Sequence, residues 1–421
     1  MKKQKPKKNK AKKAVRPVKM KEIYLDYASA TPISKAVETK MTAANGLFGN
    51  PGALHAKAVE AKNAILEARK SIAKHIDARP EEIVFTGSAT ESNTLALYGA
   101  VEAWRMRFPD ETPQIIISAI EHPSIIEMGK RLEEEGVTVT KVAVDAYGVI
   151  DLGALKAALT PHTVLVSVMC ANNEIGRIEP IESIAKIVRH YRKQHDAQSP
   201  SEYPLLHVDA TQAFQYMPIR ISKPEVDLMT LSSGKIYGPR GIALLFVRNN
   251  IPFTPLMVGG GQEMGRRGGT EATQLIIGFA AAIDEAVKVR TKESARLKKI
   301  RDTSIRELAK KIPQAMLLGH PTNRLPNNMC FSIPGIESDY LVLALSAKKI
   351  YASSRSACKS DTTDEKEIDS HVIMAIGGDP TDGTIRLSFG RGTTEQQVKA
   401  AIAILSAAVE KWNVWAHAHK K

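Results

Sequence analysis

The stretch VDLMTLSSGKIYGPRGIALLFVR, residues 226–248, sets one lysine between two apolar runs. VDLMTLS (226–232) and IALLFVR (242–248) read as buried strands, and Ser232, Ser233, Gly234 and Lys235 stand where the first of them ends. Working outward, the same kind of run recurs at EIVF (82–85), QIIIS (114–118), VTVTKVAV (137–144), TVLVSVM (163–169) and LLHVD (205–209). Amphipathic segments over 55–77, 92–107, 123–135 and 180–195 lie between several of them. Strand–helix alternation of this kind predicts an α/β fold with a mostly parallel sheet covered on both faces. Such sheets bind ligands in the loops that follow the C-terminal ends of the strands. Further along, the glycine-rich GGGQEMGRRGGT (259–270) precedes a long helical region near 271–312. Strands near 328–333 and 385–389 and a helix from about 394 then form a second, smaller α+β unit. The polar KQHDAQSPSEYP (193–204) reads as a surface insertion.

At 421 residues the chain is too long for a single core, and 43% hydrophobic content supplies two units. No run approaches the ~20 apolar residues of a membrane helix, so no membrane association is expected. Residues 1–21 hold eleven Lys or Arg and no acid, leaving only +3 of the formal +14 for the remainder. That segment lacks an apolar core and an amphipathic period, so it is expected to be a disordered polybasic tail. It serves either as a solvated arm or as a weak contact for RNA or an acidic partner. Three scattered cysteines fit neither a disulfide framework nor a structural zinc site; no metal is expected, and a reducing, cytoplasmic setting fits best.

The strand ends carry the chemistry. IVFTGSATESN (83–93) passes from a strand through small residues, Ala89 and Thr90 among them, into a helix whose N-terminus suits an anion; a plain tight connection is an equal reading. His122 follows QIIIS, where a structural histidine is the commoner case. Cys170, Asn172, Asn173 and Glu174 follow TVLVSVM, where amides suit a carboxylate or phenolic oxygen, or cap the next helix. Asp209 closes LLHVD and Gln212 follows it; a carboxylate at a buried strand end requires a cationic or hydrogen-bonding partner, and a pyridinium nitrogen is one. Lys235 is poorly placed for a surface role and well placed as a nucleophilic amine.

Among the cysteines, Cys330 lies in an apolar strand pattern and Cys170 closes another, so both read as packing residues. Cys358 sits in YASSRSACKSDTTDEKEID (351–369), a hydrophilic run that no core accommodates, with Arg355 and Lys359 near enough to favour a thiolate. It is the candidate reactive thiol.

Taken together, these residues resemble the cysteine desulfurases of the class V aminotransferase group, which use pyridoxal 5'-phosphate (PLP) on the fold type I scaffold. The resemblance rests on YLDYASATP (24–32), GNPGALH (49–55), IVFTGSATESN (83–93), EHPS (121–124), NNEIG (172–176), HVDATQ (207–212), SSGKIYGPRG (232–241), RRGGT (266–270), SSRSAC (353–358) and IRLSFGRGTTE (385–395), in family order from residue 22 onward. The SSRSAC context is similar to the long-loop group, which serves iron–sulfur assembly and tRNA thiolation. Two departures stand out: Gly234 replaces the histidine usual before the lysine, and Arg355 replaces a glycine.

The resemblance implies a large PLP-binding domain over 34–290 and a small domain made of 22–33 and 291–421. It implies Lys235 as the Schiff-base lysine, Asp209 as partner of the pyridine nitrogen, His122 stacked on the ring and Gln212 at the phenolic oxygen. Ala89, Thr90, Ser232, Ser233 and Gly234 would surround the phosphate, with Thr270 contributed by the second subunit of a homodimer. Asn173 and Arg391 would hold the substrate carboxylate, and Cys358 would collect sulfur from L-cysteine for an acceptor such as an iron–sulfur scaffold or a tRNA-thiolation enzyme. A selenocysteine lyase, a cysteine sulfinate desulfinase and a weakly catalytic dimeric scaffold are the competing expectations.

Overall fold

A computed structural model describes residues 22–195, 202–354, 370–379 and 381–419. The strands are β1 (Ile23–Tyr24), β2 (Ile83–Thr86), β3 (Gln114–Ser118), β4 (Thr138–Val142), β5 (Thr163–Met169), β6 (Leu205–Asp209), β7 (Leu228–Ser232), β8 (Ala243–Val247), β9 (Met316–Leu317), β10 (Asn328–Ile333), β11 (Ile350–Tyr351) and β12 (Gly383–Ser388). The helices are α1 (Lys35–Ala43), α2 (Ala56–Ile76), α3 (Ala89–Arg107), α4 (Pro123–Glu134), α5 (Leu152–Ala158), α6 (Ile181–His195), α7 (Thr273–Lys311), α8 (Ser338–Ser346), α9 (His371–Ala375) and α10 (Glu395–His419).

Seven strands form the main sheet in the order β2-β8-β7-β6-β5-β3-β4. The four pairings from β7 through to β4 are parallel, while β8 runs antiparallel to both β7 and β2. Two reversals cancel, so β2 points the same way as the parallel strands. The C-terminal ends of β2, β3, β5, β6 and β7 therefore share one edge, and the loops that leave them converge there.

Alternation along the strands explains the layering. Val84, Ile115, Ile117, Leu165, Leu205, Leu228 and Leu245 face a core closed by Leu97, Val101 and Trp104 of α3 and by Leu132 of α4. Phe85, Ile116, Val166, Leu206, Met229, Leu244 and Phe246 face the other way, against Ile72 of α2 and Phe279 and Ile283 of α7. This second core runs on into Phe331, Ile385, Leu387 and Ile402 of the C-terminal unit, whose sheet has the order β12-β10-β9. Helix starts follow local chemistry: Ser88 caps α3 by accepting the Glu91 N–H, and His122 caps α4 with Pro123 next in line.

The expected strands and helices are present nearly residue for residue. β1 pairs in parallel with β11, which joins the first described residues to the C-terminal unit; neither two-residue strand was anticipated. α7 runs unbroken through residue 290 and packs on α1, α2 and α10 alike. Among the described residues no helix is long and apolar enough to cross a membrane. The tail 1–21 and Cys358 lie outside the described residues.

One ion pair fixes the glycine-rich stretch to the sheet. Arg69 of α2 is bidentate to Glu263 at 2.8 and 3.0 Å, donates to the Ile83 carbonyl, and lies 4.7 Å over the Phe85 ring. Glu263 also accepts the Phe85 N–H at 2.9 Å, and both side chains are buried. Removing one partner leaves the other charge stranded, which costs about 3–5 kcal/mol. Glu263→Ala is therefore expected to lose about that much by denaturant unfolding, and adding Arg69→Met is expected to return part of the loss.

Candidate active site

The convergent loops enclose a cavity of about 250 Å³ lined by Ala28, Ser29, Ala89, Thr90, Asn93, His122, Met169, Ala171, Asn173, Asp209, Thr211, Gln212, Ser232, Lys235 and Arg386. Eight residues singled out from the sequence are thus brought together: Ala89, Thr90, His122, Asn173, Asp209, Gln212, Ser232 and Lys235. They come from the ends of five strands, as the shared direction of those strands requires.

Lys235 sits in a single 3₁₀ turn after β7, half-buried, with its amine donating to the Ser29 carbonyl. Thr31 clamps that turn: its N–H and Oγ1 both donate to the Gly234 carbonyl, at 3.1 and 3.0 Å, and its Oγ1 accepts the Tyr237 N–H at 2.8 Å. The segment between β1 and α1 is thus folded over the lysine. Gln212 pins it further by donating to the Ala28 carbonyl at 3.0 Å.

Asp209 is buried and accepts two hydrogen bonds, from the Thr211 N–H at 2.9 Å and the Asn93 side-chain amide at 2.9 Å. Two strand positions earlier, His207 is wholly buried between Ser167 and Thr230; burial pushes its proton affinity down, and the Asp209 carboxylate opposes this. His122 likewise has its pKa lowered by burial, offset by Asp209 and reinforced by Lys235 and His371. Its Nδ1 accepts the Ser124 N–H at 3.1 Å, so the neutral ring carries its proton on Nε2.

Arg386 of β12 is the functional candidate that sequence reasoning missed. Its guanidinium is 2% exposed, donates to the Asn173 carbonyl at 3.0 Å, to Asp26 at 2.8 Å and to the Ser29 hydroxyl at 2.7 Å, and opens on the cavity. A signal was available: an arginine between Ile385 and Leu387 in an apolar strand must find partners. Arg391, expected to hold a carboxylate, has different surroundings. It pairs with Glu285 at 2.7 Å, lies 4.0 Å over the Tyr237 ring, and does not line the cavity.

Ser233 is buried behind the turn, and Gly234 offers its carbonyl to Thr31 rather than facing the cavity. An added Cβ at Gly234 would meet only ordinary contact with Arg240, so that position has room. Thr270 is exposed and lines a separate opening with Leu47, Phe48 and Pro51. Cys170 and Cys330 are buried and free, with thiols pushed up to about 12 by burial, which makes both inert. Among the described residues no cluster of His, Cys, Asp and Glu suits a metal ion.

The donor set fits a flat, aromatic, anionic cofactor with an aldehyde. An amine, an acceptor-only carboxylate and an imidazole share one cavity with the N-terminus of a 19-residue helix, whose free N–H groups favour a phosphate.

Residues 23–401 match the family model described as Aminotransferase class-V. The chain belongs to that family. Class-V relatives include cysteine desulfurase IscS of Dictyoglomus turgidum, 38% identical over 93% of this chain and 95% of its own. Cysteine desulfurase IscS 1 of Archaeoglobus fulgidus is 37% identical over 92% and 97%. Among solved structures, a NifS-like protein superposes with a TM-score of 0.82 at 31% identity, covering 93% of this chain and all of that one. SspA in complex with cysteine superposes with a TM-score of 0.71 at 33% identity, covering 87% and 98%. The fold is the PLP-dependent fold type I of these class-V enzymes.

Glu121, one residue before His122, is fully buried and its pKa is pushed up to about 8 by that burial, against donors from Ser118 at 2.5 Å and the Met169 N–H at 2.8 Å. The folded state thus keeps this proton while the unfolded chain releases it above ordinary carboxylate pH. The contribution is complete at acid pH and is lost as pH climbs toward 8, with a slope of at most about 1.4 kcal/mol per pH unit. Glu121→Gln removes the proton from the balance. Unfolding midpoints at pH 5.5 and 8 should therefore differ less in the variant than in the parent, with the variant gaining at pH 8.

Proposed function

We propose that this protein is a PLP-dependent cysteine desulfurase, converting L-cysteine to L-alanine and leaving persulfide sulfur on Cys358 for a protein acceptor. The observation that carries this reading is the meeting of Lys235, Asp209 and Arg386 in one cavity: an imine-forming amine, a counter-charge for a pyridinium and a carboxylate-binding fork. The cysteine desulfurase relatives and the cysteine complex of a neighbour support it.

Ala89, Thr90 and Ser232 hold the cofactor phosphate, Asp209 its ring nitrogen, Gln212 its phenolic oxygen, and His122 covers the ring. When bound, the cofactor supplies the electron sink that makes a Cβ–S bond labile. Arg386, rather than Arg391, takes the substrate carboxylate with Asn173 beside it; its planar fork is already oriented by Asp26 and Ser29. Lys235 removes the Cα proton. The Cys358 thiolate attacks the substrate sulfur, so that an S–S bond forms as the Cβ–S bond breaks; a proton added to Cβ and the return of a proton from Lys235 to Cα complete alanine. Thr270, exposed on its own chain, serves the phosphate site of a second copy in a homodimer.

The flanks of the segment bearing Cys358 are tied to the cavity residue Arg386 and to neighbours of cavity residues. Ser353 pairs through its backbone with Arg386, and Thr384 donates to the Ser354 carbonyl at 2.9 Å. On the other side Ser370 donates to Glu174 at 2.6 Å and His371 to the Glu121 carbonyl at 2.8 Å.

The test is direct. Purified protein supplied with PLP is expected to be yellow, to lose its visible band on borohydride treatment with label retained on Lys235, and to release alanine from L-cysteine. Cys358→Ala is expected to keep the band and stop alanine release. A colourless protein overturns the cofactor assignment, and alanine release undiminished in Cys358→Ala overturns the role of that thiol. Arg386→Lys is expected to raise KM for L-cysteine about tenfold or more, whereas Arg391→Lys leaves it within about twofold.

A further inference from the structure

Asn93 lies in α3, one turn past the residues that face the phosphate position, and only 1% of it is exposed. Its side-chain amide donates twice: to Asp209 Oδ2 at 2.9 Å and to Ser124 Oγ at 2.9 Å. Its own Oδ1 is buried and has no hydrogen-bond partner among the described residues. An amide placed only to satisfy itself would not leave its oxygen bare while spending both protons. The orientation is dictated by what it faces, since turning it over would set Oδ1 against an acceptor-only carboxylate. Ser124 Oγ, having accepted from Asn93, directs its proton to His122 Nδ1 at 2.9 Å. One amide thus joins the Asp209 carboxylate to the His122 imidazole.

We propose that Asn93 is a positioning residue that sets the Asp209 carboxylate and the His122 ring in a common register through the chain Asp209–Asn93–Ser124–His122. Asn93 supplies one of the two donors described at Asp209, so it fixes the direction in which that carboxylate is presented to the cavity. Through Ser124 it also holds Nδ1 as an acceptor and the ring in plane. The effect falls on the orientation of groups already in place, and hence on turnover rather than on substrate capture.

This rests on the PLP-dependent reading of the cavity, and the readouts separate the two. Asn93→Ala, Ser124→Ala and the double variant are prepared as cofactor-loaded protein. Three quantities are read: the pH at which the visible band interconverts, PLP affinity by titration of the stripped protein, and kcat and KM for L-cysteine. Asn93→Ala is expected to move the band transition by about half a pH unit or more, to weaken PLP binding, and to lower kcat about tenfold with KM within about twofold. Ser124→Ala, a change at a half-buried first-turn position, is expected to lower kcat and leave the band transition in place. The double variant is expected to be no slower than Asn93→Ala alone, because both act along one chain. Should Asn93→Ala not fold, Asn93→Asp keeps the volume and loses the donors, and the same band shift is expected. An unmoved band in either Asn93 variant, a loss confined to KM, or a double variant whose loss is the product of the two single losses overturns the proposal. Parent protein that binds no PLP overturns instead the reading on which it stands.

Discussion

The burial of the Asp209 carboxylate at the end of β6 is the constraint around which the site is organised. A charge in that position is tolerated only with donors or a cation close by. The protein meets the requirement with the Thr211 N–H from the following turn and the Asn93 amide from α3. The direction of β2 decides whether α3 can reach: because β8 is reversed against both neighbours, β2 delivers α3 to the same edge as Asp209 and Lys235. With a single reversal in place of two, the helix N-terminus that suits a phosphate and the carboxylate that suits a ring nitrogen would lie at opposite ends of the sheet.

Much of this was legible in the chain itself, for a definite reason. Lys235, Asp209, His122 and Asn173 each follow an apolar run long enough to be a buried strand, and a sheet with parallel directions gathers what comes after its strands. The order of the strands was not legible. Nothing local in IVFT or ALLFV says that they pair with each other antiparallel, since both are buried on two faces and neither carries a register signal.

What the sequence hid were partnerships over long separations. Arg386 stands inside a strand, not after one, and two of its partners, Asp26 and Ser29, lie 360 and 357 residues away. Arg391, five residues on, looked equally suitable by type. Only the fold reveals that Glu285 and the Tyr237 ring already occupy it. The same holds for Asn93: inside a helix it reads as a surface or packing amide, and its importance comes from what the sheet brings opposite it.

Arg386 also ties the cavity to the described stretch that ends at Ser354. Its guanidinium opens on the cavity while its backbone pairs with Ser353, two residues before the undescribed stretch that carries Cys358. At the far end of that stretch, His371 donates to the carbonyl of Glu121, the residue next to His122, and Ser370 donates to Glu174, the residue next to Asn173. Asp26 and Ser29 hold the Arg386 guanidinium, and two backbone hydrogen bonds hold Ser353 to the same residue. An arginine in a strand, rather than one in the mobile reach of a loop, suits that double duty because its backbone is fixed by the β10 pairing on its other side.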